Sequence, residues 1–321
     1  MRRLWKESLS CLLAVFAVLA RPAFCADSFF ITGPPVAESL AFAVMADRNL
    51  AGPGIEFIMW NSPDQARAMI AAGKIRGAVI TTGVAALFYN KGARVRIAGV
   101  FSSPLWVVSE KTHGETPLRG TLLFPFGPGE MPELLFQAAM GDSTPALATG
   151  HTGGALEAVN RLLMARAEHA LLAEPAASMA VIRSRERSDG PQLFKHLDMR
   201  NIWAERFNNR PLCASSFAIF DDAVDCPERI RGIIKGYGLA LEWIAAHPEE
   251  AMSVVRKKIP ALADQSAGLS GNAGVIHTDA ATFDATGFFL GKIYAMDPGA
   301  VGGKLPGSGL FLDLARATQG P

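Results

Sequence analysis

The chain has 321 residues, half of them hydrophobic and 19% charged, with a formal net charge of +1. That length and apolar content suffice for one large or two ordinary domains. The balanced charge, with no basic tract interleaved with aromatics, gives no footing for nucleic-acid binding.

The first 25 residues read as a targeting segment. "MRRLWKES" is basic, and "LSCLLAVFAVLA" is an apolar run too short to span a bilayer comfortably. "RPAFCA" then places small residues at Ala23 and Cys25, so a secretory signal cut after Cys25 is expected. A lipid anchor at Cys25 is the lesser reading, because Phe24 stands where a lipoprotein box has a small residue. Removing residues 1–25 takes away Arg2, Arg3, Lys6, Arg21 and Glu7, which leaves the exported chain near −2. No later segment has the roughly 18 consecutive apolar residues of a membrane span. Cys213 and Cys226 remain, and in an oxidising compartment they either bond to each other or stay separate buried thiols.

Strands and helices then alternate at short intervals. "DSFFITGPP" is a strand ending in a Gly-Pro turn, "VAESLAFAVMADRN" a helix, and "GIEFIMW" a strand. The next helix has clear signals: Ser62 to cap, Pro63 in first position, Gln65 to complete a capping box, and Gly73 to stop it. "IRGAVITT", "GVAALFYNKG" and "RVRIAGVF" continue as strand, helix, strand. Apolar strands in this rhythm predict a parallel sheet covered on both faces. After "SSPLWVVSEK" the rhythm restarts, with the strand and glycine-rich turn "RGTLLFPFGPGE", the helix "MPELLFQAAMGD", the helix "ALEAVNRLLMARA" and the strand "EHALLAEP". Ile230, Ile233, Ile234, Tyr237, Leu241 and Ile244 form one stripe of a long helix, and Pro248 opens another. Two α/β units in series predict two lobes.

The six histidines stand apart from one another, and no zinc spacing, nucleophile elbow, phosphate loop or dinucleotide fingerprint appears. No cofactor and no metal is expected. What remains is a set of polar or glycine-rich turns after strands: Gly33, Trp60 with Asn61, Thr81 with Thr82, Phe126 with Gly127, Thr149 with His151, and Glu174. Ligands bind at this edge of open α/β sheets, and helix starts favour anionic or strongly polar groups. Each turn alone also reads as ordinary loop chemistry, with Thr81 and Thr82 as helix caps and Trp60 as core. Together they are expected to meet across a cleft.

Three stretches resemble one family: "SPDQARAMIAAGKIRGAVITTGVAALFYNKGARVRIAGVF", "ALEAVNRLLMARAEHALLAEPAASMAV" and "PERIRGIIKGYGLALEWIAAHPEEAMSVV". They are similar to the periplasmic substrate-binding proteins of ABC importers, in the branch for nitrate, sulfonates, taurine or thiamine-pyrimidine precursors. The resemblance implies a type II periplasmic binding protein, two α/β lobes around a central cleft with two short hinge crossings. Lobe I would hold residues 27–103 and 175–321, and lobe II residues 104–174. Glu174 would lie where the chain crosses back, at hinge and cleft floor together. The implied function is capture of a small polar or anionic solute by a periplasmic monomer that docks on an ABC permease, and no enzyme activity. The alternatives are a pyrimidine-precursor-synthesising enzyme of the same fold and a ligand-presenting sensory subunit. The chain departs from the family at Ala176, where an aromatic is usual, and after Gly268 the likeness ends.

Overall fold

A computed structural model describes residues 28–110, 118–141, 147–260 and 274–314. The expected signal segment lies outside the described residues. Among those residues, no helix is long and apolar enough to cross a membrane.

The first sheet begins as the apolar runs predict. Strands β1 (Phe29–Gly33), β2 (Ile55–Met59) and β3 (Gly77–Thr81) are parallel, and helices α1 (Ala37–Asp47) and α2 (Pro63–Ala71) alternate with them. Helix α2 starts as read: Ser62 Oγ accepts the Gln65 N–H at 3.2 Å, while Gln65 Oε1 reaches back to the Asn61 N–H at 2.8 Å. Helix α3 (Thr82–Asn90) leads to β4 (Val95–Phe101). The sheet is nevertheless mixed. Strand β10 (Ser215–Phe220) returns between β3 and β4 and runs antiparallel to both, and β11 (Ile276–His277) adds to the β4 edge.

Residues 102–104 make the first crossing. The second sheet has the order β7-β6-β8-β5-β9, with β5 (Leu105–Ser109), β6 (Thr121–Pro125), β7 (Ala148–Thr152), β8 (His169–Ala173) and β9 (Phe194–Asp198). Helices α4 (Met131–Met140), α5 (Ala155–Leu163), α6 (Ala176–Arg185) and α7 (Met199–Arg206) belong to this half. Its limit is therefore not 174. The chain makes α6, strand β9 beside β5 and then α7 before it returns, so the second crossing follows residue 206. The physical reason is pairing: β5 has two open edges, and β8 fills only one of them.

Helices α8 (Pro227–Ala246), α9 (Pro248–Lys258) and α10 (Ala280–Met296) complete the fold. Helix α8 buries Ile230, Ile233, Tyr237 and Ile244 against α1, close to the expected stripe. Three cores result. One covers the outer face of the first sheet under α1, α8 and α9, and another covers the second sheet under α5 and α6. The third is shared, running from Ile80 and Ile97 through Leu135 and Phe136 to Phe289 and Ile293. Helix α10, which the sequence reading left unassigned, packs on both α3 and α4 and joins the halves.

The Cys213–Cys226 bond is not formed. Cys213 is a free, buried thiol whose Sγ approaches the Pro211 carbonyl at 3.5 Å, and burial pushes its pKa up to about 11. Cys226 is buried just before α8, with its Sγ 3.9 Å from the Asp222 carbonyl.

Candidate ligand-binding cleft

Between the sheets lies a cavity of about 450 Å³. Its walls come from the carboxyl ends of parallel strands in both halves: Pro34 after β1, Trp60 and Asn61 after β2, Thr81 at the end of β3, Phe126 after β6, Gly153 after β7 and Ala173 in β8. This is the edge where open α/β sheets bind ligands. The hinge residues Ser103 and Pro104 and the start of β10, at Ser215, close one side.

Four of the expected residues line this space: Trp60, Asn61, Thr81 and Phe126. Phe126 has φ 73°, a left-handed conformation that costs a bulky residue energy. Its N–H donates to the Thr152 carbonyl at 2.8 Å, which holds the turn while the ring comes within 6.2 Å of Trp60. One ring comes from each half of the protein. Trp60 is 6% exposed, and its Nε1 has no hydrogen-bond partner among the described residues. The Thr81 hydroxyl caps α3 by accepting the Val84 N–H at 3.3 Å, so capping and lining are both true of it. A hydroxyl that accepts this bond still has its proton to give.

The expected convergence fails for Gly33, Thr82, Gly127, Thr149, His151 and Glu174, which are not among the lining residues. Thr82 is turned inward, donating to the Cys213 carbonyl at 2.8 Å. Thr149 and His151 sit within strand β7, not in a turn; Thr149 is exposed and His151 Nε2 lies 3.1 Å from Glu133 Oε2. The turn comes two residues later, at Gly153 and Gly154, which do line the cavity. Gly33 and Gly127 are each replaced at the wall by a neighbour, Pro34 and Phe126.

Glu174 answers to a different description from either reading of the sequence. Its side chain is only 1% exposed, so it is not ordinary loop chemistry at a solvent-facing turn. Its Oε1 forms an ion pair with Lys195 Nζ, and Oε2 accepts the Ser178 N–H at 3.2 Å. The Glu174 carbonyl accepts the Ala37 N–H at 3.0 Å, so the residue fastens the first half to the second, and its peptide bond to Pro175 is cis. The chain does not cross there, yet the halves touch there.

The acid that does line the cavity is Glu38, in the first turn of α1 and 3% exposed. Its Oε1 accepts from the hinge hydroxyl of Ser103 at 2.5 Å and from the Gly274 N–H at 3.3 Å. Burial pushes its pKa above the ordinary carboxylate range; the Ser103 hydroxyl and backbone N–H groups pull it partly back, and the Glu174 charge adds to the rise. Sequence reasoning passed over Glu38, although a lone acid inside "VAESLAFAVMA" is itself a signal. A carboxyl that holds its proton more tightly when folded contributes stability below the ordinary carboxylate range and loses it as pH rises through the raised value. Glu38→Gln is therefore expected to gain stability relative to the wild-type protein as pH rises from 4 to 8, in the absence of solute. Paired melting curves across that range check it, and a wild-type-to-variant difference that is flat with pH would remove the assignment.

No protein-family model and no curated protein matches the sequence. Solved structures do match. An ABC transporter protein from Parabacteroides distasonis is 21% identical over 88% of this chain and 98% of its own, with a TM-score of 0.66. The fold is that of the periplasmic substrate-binding proteins. The periplasmic aliphatic sulphonate binding protein of Escherichia coli is 13% identical, covering 90% of this chain and 96% of its own at a TM-score of 0.61. The periplasmic nitrate-binding protein of Synechocystis PCC 6803 is 14% identical over 84% and 81%, at 0.57. In this substrate-binding fold the cavity occupies the space between the two lobes, and the strand-end residues above are its walls.

Proposed function

We propose that this protein is an exported solute-binding protein that closes its two lobes on a small molecule and delivers it to an ABC-type permease in the membrane. One observation carries the reading: a cavity walled by the strand ends of both sheets, with Trp60 from one lobe and Phe126 from the other. A ligand touching both walls stabilises the closed arrangement over the open one, which is what closure about a hinge requires. Export rests on the basic and apolar N-terminal pattern, and transfer to a permease on the fold shared with binding components of importers. At these identities the fold likeness carries no ligand across, so neither nitrate nor sulfonate is assigned.

A thermal-shift screen over anions, sulfonates, amino acids, pyrimidines and organic amines tests the reading, with small-angle scattering to follow closure. A solute at about 100 times its Kd adds about 2.7 kcal/mol of stability. Trp60→Ala is expected to weaken that solute by about 2 kcal/mol or more, the loss seen when a buried aromatic anchor is truncated. A screen in which no class stabilises the protein or compacts it would count against solute capture.

A further inference from the structure

We propose that the solute has an apolar body and a single positive charge, an organic ammonium or a protonated nitrogen heterocycle, with its cationic end at Glu38; this rests on the cleft being the solute site. The walls are largely apolar, with Val36, Ile70, Leu105, Met131 and Leu156 facing the space beside the two aromatic rings. Aromatic rings attract apolar groups and cations and repel anions lying over their faces.

The charges point the same way. Arg67 is the one cation among the described lining residues, and it is already engaged by Asp64 at 2.9 Å and Glu130 at 3.7 Å. An anionic solute would have to break that set. Of the acids near the hinge, Glu174 has Lys195, and Asp198 has Arg200, whose Nη2 lies 2.6 Å from Oδ2. Glu157, at the cavity edge, has Arg161 at 2.7 Å. Glu38 alone among these is served only by neutral donors, the Ser103 hydroxyl and the Gly274 N–H. A buried carboxylate without a counter-charge is costly, and a solute cation is the partner that would relieve it.

Three matched probes test the charge: 2-phenylethylammonium, 2-phenylethanol and 3-phenylpropionate, titrated by calorimetry into the purified full chain and into Glu38→Gln. The ammonium is expected to bind about tenfold or more tighter than the alcohol, the difference between a charge-assisted and a neutral hydrogen bond, and the carboxylate most weakly. Glu38→Gln is expected to erase the ammonium's advantage over the alcohol, and a cooperative melting curve of the variant shows that it folds. The proposal is overturned if the carboxylate binds as tightly as the ammonium, if the advantage survives in Glu38→Gln, or if none of the three binds. Carboxylate binding as tight as the ammonium's, with compaction, would overturn the charge assignment and leave solute capture standing. Solute capture itself falls only if the broader screen fails as well.

Discussion

Lys195→Met is expected to cost about 3 kcal/mol of folding stability, toward the low end of what breaking a buried ion pair removes. Methionine keeps the length of the side chain and deletes its charge. Glu174 would then stay in place with one hydrogen bond, from the Ser178 N–H, and without its direct ion-pair partner. The low end applies because Lys195 is itself 27% exposed and water can enter beside the substituted methionine. Loss of the ammonium from above the Trp106 ring, 5.2 Å from its centroid, adds about 0.5–1 kcal/mol. Adding Glu174→Gln removes the stranded charge, so the double variant should recover most of the loss. Denaturant unfolding of the two single variants and the double variant closes the cycle. A Lys195→Met loss below about 1 kcal/mol, or a double variant no better than the single, would refute the ion pair as the anchor of Glu174, whose carbonyl is the clasp on Ala37 of the other half.

That clasp changes what Glu174 does in the proposed cycle. A carboxylate on the cleft floor would meet the solute. One that holds Lys195 and the start of α1 instead sets where the lobes pivot, and Glu38, the residue after the fastened Ala37 and itself bonded to Ser103 of the first crossing, is the acid the solute meets. Binding and hinge geometry are thus divided between two acids that sense each other's charge.

Much of the fold was legible because local chemistry declared it. Ser62, Pro63, Gln65 and Gly73 bound a helix wherever they occur in that order, and the stripe on α8 needs only its period. What was not legible depended on partners distant in sequence. Nothing in "SSFAIF" says that β10 will insert antiparallel between β3 and β4, since strand direction is set by the edge it finds. Strand β9, "FKHLD", has no fully buried position and so no apolar signature. Helix α10 hides Phe289 and Ile293 among glycines and alanines, although Asp279 accepting the Thr282 N–H at 2.9 Å was a visible cap. The site shows the same division. The strand-end rule located the cavity wall to within a residue or two, because strand ends are local. Which side chain faces the cavity is settled by packing, and that is why Thr81 lines it while Thr82 turns to Cys213.

The helix that escaped the sequence reading carries the other large effect. Trp203, in α7 of the second lobe, is fully buried between Phe207 of its own segment and Phe288 and Phe289 of α10, with ring centroids 4.4, 6.4 and 5.2 Å away. Helix α10 also packs on α3 of the first lobe, so this aromatic cluster holds one lobe to the element that braces both. Trp203→Ala would leave a cavity that its stiff aromatic neighbours fill poorly, and a loss of about 3–5 kcal/mol is expected. Trp203→Phe keeps most of the volume and should lose far less, since among the described residues the indole Nε1 has no hydrogen-bond partner that the change would lose. Because the cluster lies between the lobes, the alanine variant should also scatter as a more open particle before it unfolds. Unfolding curves and small-angle scattering of both variants check this. An alanine variant within about 1 kcal/mol of the wild-type protein, with unchanged scattering, would mean that α10 is not the brace between the lobes.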